Sequence, residues 1–328
     1  ERRTSEPGTP LAKRSSVGMR RQCTLPGVTY LLTRRTPRRH YVLTPDEGGE
    51  VERIVLYLLG HLCTKHGVQL HAVCVMSTHL HYVVTDRRGV IPLFLQEFHR
   101  LLANSVKNFR GWPAEVFDKK PTTRTVLLTA NADIEEIAYT IANPVAAGAV
   151  RYAADWPGLT TAPRDLGTRI ECVRRPDHYL RDATTFPDEV EVRFELPARL
   201  AAAYGAEDAR RLVRLEVEKL EREALRKMRE NGWSFLGRAR VLRQPHTKRS
   251  KSREDFGALT PHFAAAGDVK AVKAHLERIR AWDGLYDQCL ERWRAGDHDA
   301  LWPPGTWAIV RYHGARAAPP PDDLRQAA

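Results

Sequence analysis

The sequence predicts an α+β protein whose first half runs strand, helix, strand, strand, helix, strand, with one further helix after it. Runs of β-branched and aromatic residues, such as 27–33, alternate with amphipathic stretches, and Pro or Gly stands at most boundaries. Apolar residues make up 42% of the chain, which is enough for a real core. A length of 328 residues suggests two domains at about 150 residues each.

Each element of the first half has its own signal. The run GVTYLLT at 27–33 follows Pro26 and is rich in strand-forming residues, and a short strand is expected at 40–43. In 46–65 the apolar residues recur every three or four positions, which predicts a helix that Gly67 ends. The remaining predicted elements are strands at 68–76, 80–85 and 124–129 and helices at 92–109 and 133–142, with Pro144 just beyond the last. This order predicts a ferredoxin-like split βαββαβ domain, an antiparallel sheet with helices on one face.

The chain divides into three predicted parts. Residues 1–24 are a flexible basic leader, 25–160 are the βαββαβ domain, and 161–328 are a mostly α-helical extension of undefined role. Helices are expected in the extension at 207–231, 269–280 and 284–294. A basic segment at 238–253 holds seven Lys and Arg residues, and its Pro245 favours an extended arm over a packed helix. Such an arm serves either as a DNA contact or as a solvated linker.

Composition excludes several classes of protein. Lys and Arg number 52 against 40 Asp and Glu, and the net charge of +12 favours a polyanionic partner such as nucleic acid. No apolar run approaches the ~20 residues of a membrane span. The 5 cysteines are odd in number and form no CxxC pair, which indicates reduced thiols in a cytoplasmic protein. No Gly-rich phosphate-binding motif is present, so no nucleotide cofactor is expected.

The segment MSTHLH places two histidines, His79 and His81, two residues apart on a predicted strand. Their imidazoles therefore face the same side of the sheet. Two neutral imidazoles at that spacing can hold one divalent cation. The alternative is a pair of exposed strand histidines without a ligand.

The segment YTIANPVAAGAV places Tyr139 and Asn143 one helical turn apart, on one face of the last predicted helix. The tyrosine is a candidate nucleophile, and the amide oxygen is a candidate third metal ligand. The alternative is structural, with Tyr139 packed on the sheet and Asn143 capping the helix before Pro144.

Together, in this order of elements, the two segments resemble the single-tyrosine HUH transposases, the insertion-sequence-200-like superfamily that includes the REP-associated tyrosine transposases. The resemblance covers about 25–160, and the extension makes this a long form. It implies that His79, His81 and Asn143 bind a divalent metal and that Tyr139 attacks single-stranded or hairpin DNA. It also implies a possible homodimer that exchanges the tyrosine helix.

The implied chemistry is physically consistent. A tyrosine with a pKa near ~10 is a weak nucleophile at neutral pH, and a phosphodiester repels attack, so a Lewis acid is needed. Imidazole and amide ligands that leave coordination positions open suit Mg²⁺ or Mn²⁺. Mn²⁺ fits two imidazoles better because it is the softer ion. A phosphotyrosine intermediate conserves the energy of the broken bond.

A basic turn is a candidate phosphate contact; its members are Arg34, Arg35, Arg38 and Arg39. A solvated turn is the alternative. The predicted function is a metal-dependent DNA transposase-like endonuclease and strand transferase. The alternatives are a domesticated, non-cleaving regulator of palindromic repeats and a structural metal protein, the latter disfavoured because no four-ligand set is present.

Overall fold

The computed structural model of the chain describes residues 21, 23–251 and 262–321. The strands are β1 (Val28–Arg35), β2 (Val68–Met76), β3 (His79–Asp86), β4 (Thr123–Leu127), β5 (Ile170–Arg174), β6 (Glu189–Arg193), β7 (Phe263–Ala264), β8 (Leu301–Trp302) and β9 (Arg316–Ala317). The helices are α1 (Glu50–His66), α2 (Ile91–Arg110), α3 (Ala130–Ala146), α4 (Ala198–Glu230), α5 (Arg238–Leu242), α6 (Val269–Arg294) and α7 (Ala308–His313). Most of the predicted leader lies outside the described residues.

The main sheet has the strand order β2-β3-β1-β4-β7, with β1 at its centre. β1 pairs antiparallel with β3 and β4, and β2 pairs antiparallel with β3. β7, from the second half of the chain, pairs parallel with β4, so the sheet is mixed and not purely antiparallel. The short parallel strand covers an edge that β4 would otherwise leave unpaired. The molecule therefore belongs to the mixed α and β class.

Helices cover both faces of this sheet. α1 and α2 pack on the face that carries Tyr30, Leu32 and Tyr82. α3 and α4 pack on the opposite face, which carries Leu31 and Val83. The consecutive residues of β1 are buried on alternate sides, which explains why the strand is an unbroken apolar run. The prediction of helices on one face is correct for α1 and α2 and wrong for α3.

The structure differs from the predictions for the first half at the strand expected at 40–43, at the start of α1 and at the end of α3. Residues 40–43 form a turn with one bridge, from His40 to Arg249, and not a strand. α1 begins at Glu50 because Asp46, outside the helix, accepts hydrogen bonds from the backbone N–H groups of its first two residues. α3 continues past Pro144, whose ring removes only one helical hydrogen bond in the last turn.

The second half contains an unpredicted hairpin, β5 with β6. It packs on α1, where a Cβ at Gly60 would meet the Glu191 carbonyl oxygen at 2.8 Å, so only glycine allows this approach. The two helices expected at 269–280 and 284–294 are one, α6. Among the described residues, none of the helices combines the length and apolar character needed to span a membrane.

The basic segment 238–253 departs from the predicted extended arm at its start. Residues 238–242 form α5, because Val241 is 1% exposed and packs in the apolar cluster beside α3 and α4. Turns follow, and Arg249 reaches His40 through the isolated bridge. Residues 252 and 253 lie outside the described part of the chain.

Candidate active site

The histidine pair lies where β3 begins, directly after the two-residue turn that connects it to β2. In the register with β1, His79 lies opposite Arg35 and His81 lies opposite Thr33. Since alternate residues of a strand share a face, all four side chains belong to one face. It is the face that α3 covers.

The two imidazoles converge, with ring centroids 4.8 Å apart and planes at 89°. His79 Nδ1 lies 2.9 Å from the Thr78 hydroxyl, and His81 Nδ1 lies 2.9 Å from the Thr33 hydroxyl. Each Nδ1 therefore has a hydrogen-bond partner, and each Nε2 is the nitrogen that could bind a ligand. His81 Nε2 is buried without a hydrogen-bond partner, whereas His79 Nε2 lies 3.1 Å from Asn143 Oδ1.

α3 brings Tyr139 and Asn143 to this pair. The helix starts at Thr129, whose hydroxyl accepts a hydrogen bond from the backbone N–H of Ala132. The Tyr139 ring lies 5.4 Å from the His81 ring, at 81°, yet the residue is still 40% exposed. Asn143 is 6% exposed, and its side chain contacts His79 while its backbone carbonyl accepts the N–H of Ala147. The four residues singled out in the two motifs thus lie together.

The position of α3 depends on α4, which the sequence does not connect with the site. Val213 and Val217 of α4 pack in the same apolar cluster as Ile137 and Ile141 of α3. A fully buried Asp133, in the first turn of α3, pairs with Arg199 through two contacts of 3.1 and 2.5 Å. The two partners are 66 residues apart in sequence, so no local pattern could have revealed the pair.

Electrostatics keep both imidazoles neutral. Burial lowers the pKa of His79 to about 4, and the positive charge of Arg35 acts in the same direction. Burial, followed by His79 and Arg35, holds the pKa of His81 well below its ordinary range. A neutral imidazole is the form that binds a metal, so neither ring needs to lose a proton at neutral pH.

The Tyr139 phenol is subject to opposing influences. Partial burial raises its pKa above the ordinary value, and the charge of Glu136 adds to this. The Arg35 guanidinium and the Asn143 amide act in the other direction, towards the phenolate. One arginine thus acts on both histidines and on the tyrosine.

The four arginines of the basic turn lie in different places. Arg35 is exposed on the face of the histidines, and within the described residues its side chain has no ion pair. Arg34 lies on the opposite face, where it donates to the Lys120 carbonyl and stands 5.4 Å from the Phe117 ring. Arg38 and Arg39 form a tight turn with φ of 49° and 57°. Only Arg39 among these two acts electrostatically on His79.

The donor set at the site fits a divalent cation. Within the described residues, no three His, Cys, Asp or Glu side chains form a metal cluster. The candidate set is smaller, with two imidazoles and the Asn143 amide oxygen. The unpartnered, buried His81 Nε2 and the two threonine hydroxyls on the Nδ1 atoms fit this role, since ligating histidines usually bond a second group through the other nitrogen.

Two solved structures are among those to which the chain is similar. No family model and no curated protein matches the chain. A structure of a REP-associated tyrosine transposase bound to a REP hairpin is 18% identical over 45% of this chain and 85% of that one, with a TM-score of 0.38. A candidate transposase from Deinococcus radiodurans R1 is 21% identical over 34% of this chain and 84% of that one, with a TM-score of 0.24.

Proposed function

We propose that this protein is a metal-dependent, single-tyrosine HUH transposase-type enzyme that cleaves and rejoins single-stranded or hairpin DNA. Its catalytic part is a ferredoxin-like domain at 25–160, followed by the extension. One observation carries the proposal, namely that a partly exposed Tyr139 stands 5.4 Å from the ring of a neutral His81 whose buried Nε2 has no hydrogen-bond partner. The resemblance of the two motifs to that family gives the arrangement a chemical role.

In the proposed reaction the phenolic oxygen of Tyr139 forms a bond to the phosphorus of a DNA phosphodiester. The phenol gives up its proton, the bond from phosphorus to the 3′ oxygen breaks, and the 3′ oxygen takes up a proton, which leaves a 3′ hydroxyl on one side of the cut and a 5′-phosphotyrosine on the other. Attack by the 3′ hydroxyl of another strand reverses the step and releases Tyr139. No external energy source is needed because one phosphodiester replaces another.

The residues of the chain have separate tasks. His79, His81 and Asn143 would hold Mg²⁺ or Mn²⁺, which supplies Lewis-acid polarisation of the phosphate. Arg35 would bind a non-bridging oxygen, since its side chain is exposed and its charge influences the pKa values of both histidines and of Tyr139. The same charge favours the phenolate that attacks. Because the three residues that would hold the metal are neutral, a bound divalent cation would give the site a net positive charge, which an anionic phosphodiester would offset.

The basic composition supports DNA as the partner, and the expected location is the cytoplasm. Tyr139 approaches the histidines of its own chain, an arrangement that suits attack within one subunit. The homodimer implied by the resemblance remains a prediction.

The alternative function is a domesticated regulator that binds palindromic repeats without cutting them. It would use the same fold and basic surface, but not the Tyr139 hydroxyl. Formation of a covalent adduct separates the two functions.

The test uses the full chain with single-stranded DNA hairpins and Mg²⁺ or Mn²⁺, followed by denaturing gels. We expect a protein–DNA adduct in the wild type that is absent in Tyr139→Phe, with hairpin affinity nearly unchanged because only a hydroxyl is lost. Tyr152→Phe is the matched control, since Tyr152 has a similar exposure of 44% and lies outside the site. An adduct that persists in Tyr139→Phe refutes the assignment of the nucleophile, and hairpin binding without any adduct supports the regulator.

A further inference from the structure

A cavity lies on the face of the sheet opposite to His79 and His81. It has a volume of about 240 Å³ and lies between the β1–β4–β7 side of the sheet and α6. Its walls include Tyr30, Arg124 and Val126 from the sheet and Ile279 and Trp282 from α6. The volume is far above the ~10–15 Å³ that one water needs. It lies just below the ~300 Å³ at which small-molecule sites begin.

Arg124 is the unusual member of this wall. Its Nε atom is buried and has no hydrogen-bond partner, and within the described residues its side chain forms no ion pair. Burial lowers the pKa of Arg124, opposed only by the neighbouring phenols Tyr30 and Tyr82. Arg124 is half-buried as a residue, and burying part of a guanidinium without a carboxylate partner is costly. An anion in the cavity would supply the missing partner.

The rest of the lining combines aromatic rings with two further arginines. Trp282 is 7% exposed and is fixed by its indole N–H, which donates to the Pro304 carbonyl at 2.7 Å. The rings of Phe263 and His275 lie 5.0 Å apart. Arg278 and Arg21, the latter paired with Asp287, also line the cavity, and among the lining residues that the structure describes Asp283 is the one carboxylate. The cavity thus offers flat apolar surface beside an unpaired positive charge.

From these features we infer that the cavity binds a deoxynucleoside monophosphate unit, with the base against Trp282 and Phe263 and the phosphate at Arg124. Stacking on aromatic rings and phosphate contacts from arginine are the two general ways of binding an unpaired nucleotide. The unit is either a free nucleotide or one nucleotide of a single strand, and the strand version rests on the proposed function.

The nucleotide in this cavity is not the one that reacts at Tyr139. Tyr30 and Arg35 are five residues apart on β1, about 17 Å at ~3.3 Å per residue, and their side chains point to opposite faces. The cavity would therefore hold a nucleotide some distance from the cut.

The experiment uses the full chain carrying Tyr139→Phe, so that no cleavage occurs. Deoxyadenosine monophosphate, deoxyadenosine and a single-stranded oligo(dA) octamer are titrated while tryptophan fluorescence and the heat of binding are recorded. We expect saturable binding of the monophosphate, with a fluorescence change that Trp282→Phe removes. Deoxyadenosine, which lacks the phosphate, is expected to bind about 10- to 100-fold more weakly.

Two variants test the cavity independently. Arg124→Gln should reduce the affinity for the monophosphate to that for deoxyadenosine, without further loss for deoxyadenosine itself. Ile279→Trp leaves Arg124 in place and fills the cavity, so it should abolish binding even if Arg124→Gln fails to fold. Arg280→Gln, exposed on the same helix and outside the lining, is the control, and thermal unfolding monitors each variant.

Each outcome decides one question. Binding of the octamer but not of the monophosphate, when lost in Ile279→Trp, identifies a nucleotide within a strand and supports the inference. Binding that is absent, or unaffected by both Arg124→Gln and Ile279→Trp, overturns it. If the wild type forms no DNA adduct while the monophosphate still binds in this way, the proposed function fails and the cavity site stands.

Discussion

The two faces of the main sheet carry similar residue types and differ in what surrounds them. On the face covered by α3, His81 has a free, buried Nε2 and lies beside an exposed arginine and a partly exposed tyrosine. On the opposite face, Nε2 of the half-buried His99 lies 2.9 Å from the Tyr82 hydroxyl, and Arg34 stands beside the Phe117 ring. A histidine, an arginine and a tyrosine form a candidate reactive site only where a donor atom is left without a partner and solvent has access. Pairs of variants with one member on each face test this difference, first for the histidines and then for the arginines.

The largest expected effect is on metal-dependent cleavage. His79→Ala or His81→Ala should lower metal affinity and the rate of adduct formation by more than the ~100-fold that loss of an outer partner of a ligand can cost. His99→Gln, on the other face, should change stability but not Mn²⁺ affinity, because Nε2 of that ring already faces a hydroxyl. Calorimetry with Mn²⁺ and adduct gels measure both quantities. Adduct formation that survives saturating EDTA would contradict the metal requirement.

Adjacent arginines of β1 provide the next comparison. We expect Arg35→Gln to weaken binding of hairpin DNA to the Tyr139→Phe protein by about 10- to 100-fold, through loss of a charged contact with the scissile phosphate. A neutral methylphosphonate at that phosphate should weaken binding to the Tyr139→Phe protein similarly, and it should cause no further loss when Arg35→Gln is also present. For Arg34→Gln the methylphosphonate should retain its full effect, since Arg34 lies on the other face. If the methylphosphonate effect were reduced equally in Arg35→Gln and Arg34→Gln, the face of the sheet would not determine which arginine contacts the scissile phosphate.

A smaller effect is expected from the hydroxyl that bonds His81. Thr33→Val removes the partner of His81 Nδ1 at 2.9 Å and keeps the shape of the side chain. We expect about a 10-fold loss of Mn²⁺ affinity, at the low end of the effect of such outer partners. Thr29→Val is the control on the same strand, because Thr29 bonds Thr85 and not an imidazole. A similar loss in both variants would indicate a general effect of the strand.

The smallest effect concerns the exposed basic residues between 238 and 251. Among them are Arg238, Arg240, Arg243 and Lys248. If these four contact DNA phosphates, neutralising them should flatten the slope of log affinity against log salt by about 3. The rate of the chemical step at Tyr139 should not change. The loss of affinity should be the same for all DNA sequences. Titrations from low to moderate salt measure the slope, and an unchanged slope would identify the segment as a linker. This effect depends on neither face of the sheet.

The local sequence accounts for much of the first half. Periodic apolar residues locate α1, α2 and the central strands, because each of these elements has a strong local pattern. The strand predicted at 40–43 is wrong because Val42 and Leu43 are fully buried in a turn. In the sequence, apolar residues that are buried in a turn look the same as those of a short strand. The hairpin of β5 and β6 is not predictable from local sequence, because its exposed positions carry charged residues such as Glu189 and Arg193. Its other side is buried only because it packs on α1.

For the site, two short motifs of the sequence are enough to single out four residues. The sequence determines which residues could react, since strand and helix periodicity place His79 with His81 and Tyr139 with Asn143 on common faces. It does not determine that the two pairs meet, because 64 residues separate His79 from Asn143. Only the packing of α3 between the sheet and α4, with Asp133 held by Arg199, decides that. Tertiary structure also gives Arg35 and Arg34 different surroundings. Adjacent residues of a strand point to opposite faces of the sheet, and only the packed fold determines which side chains lie on each face.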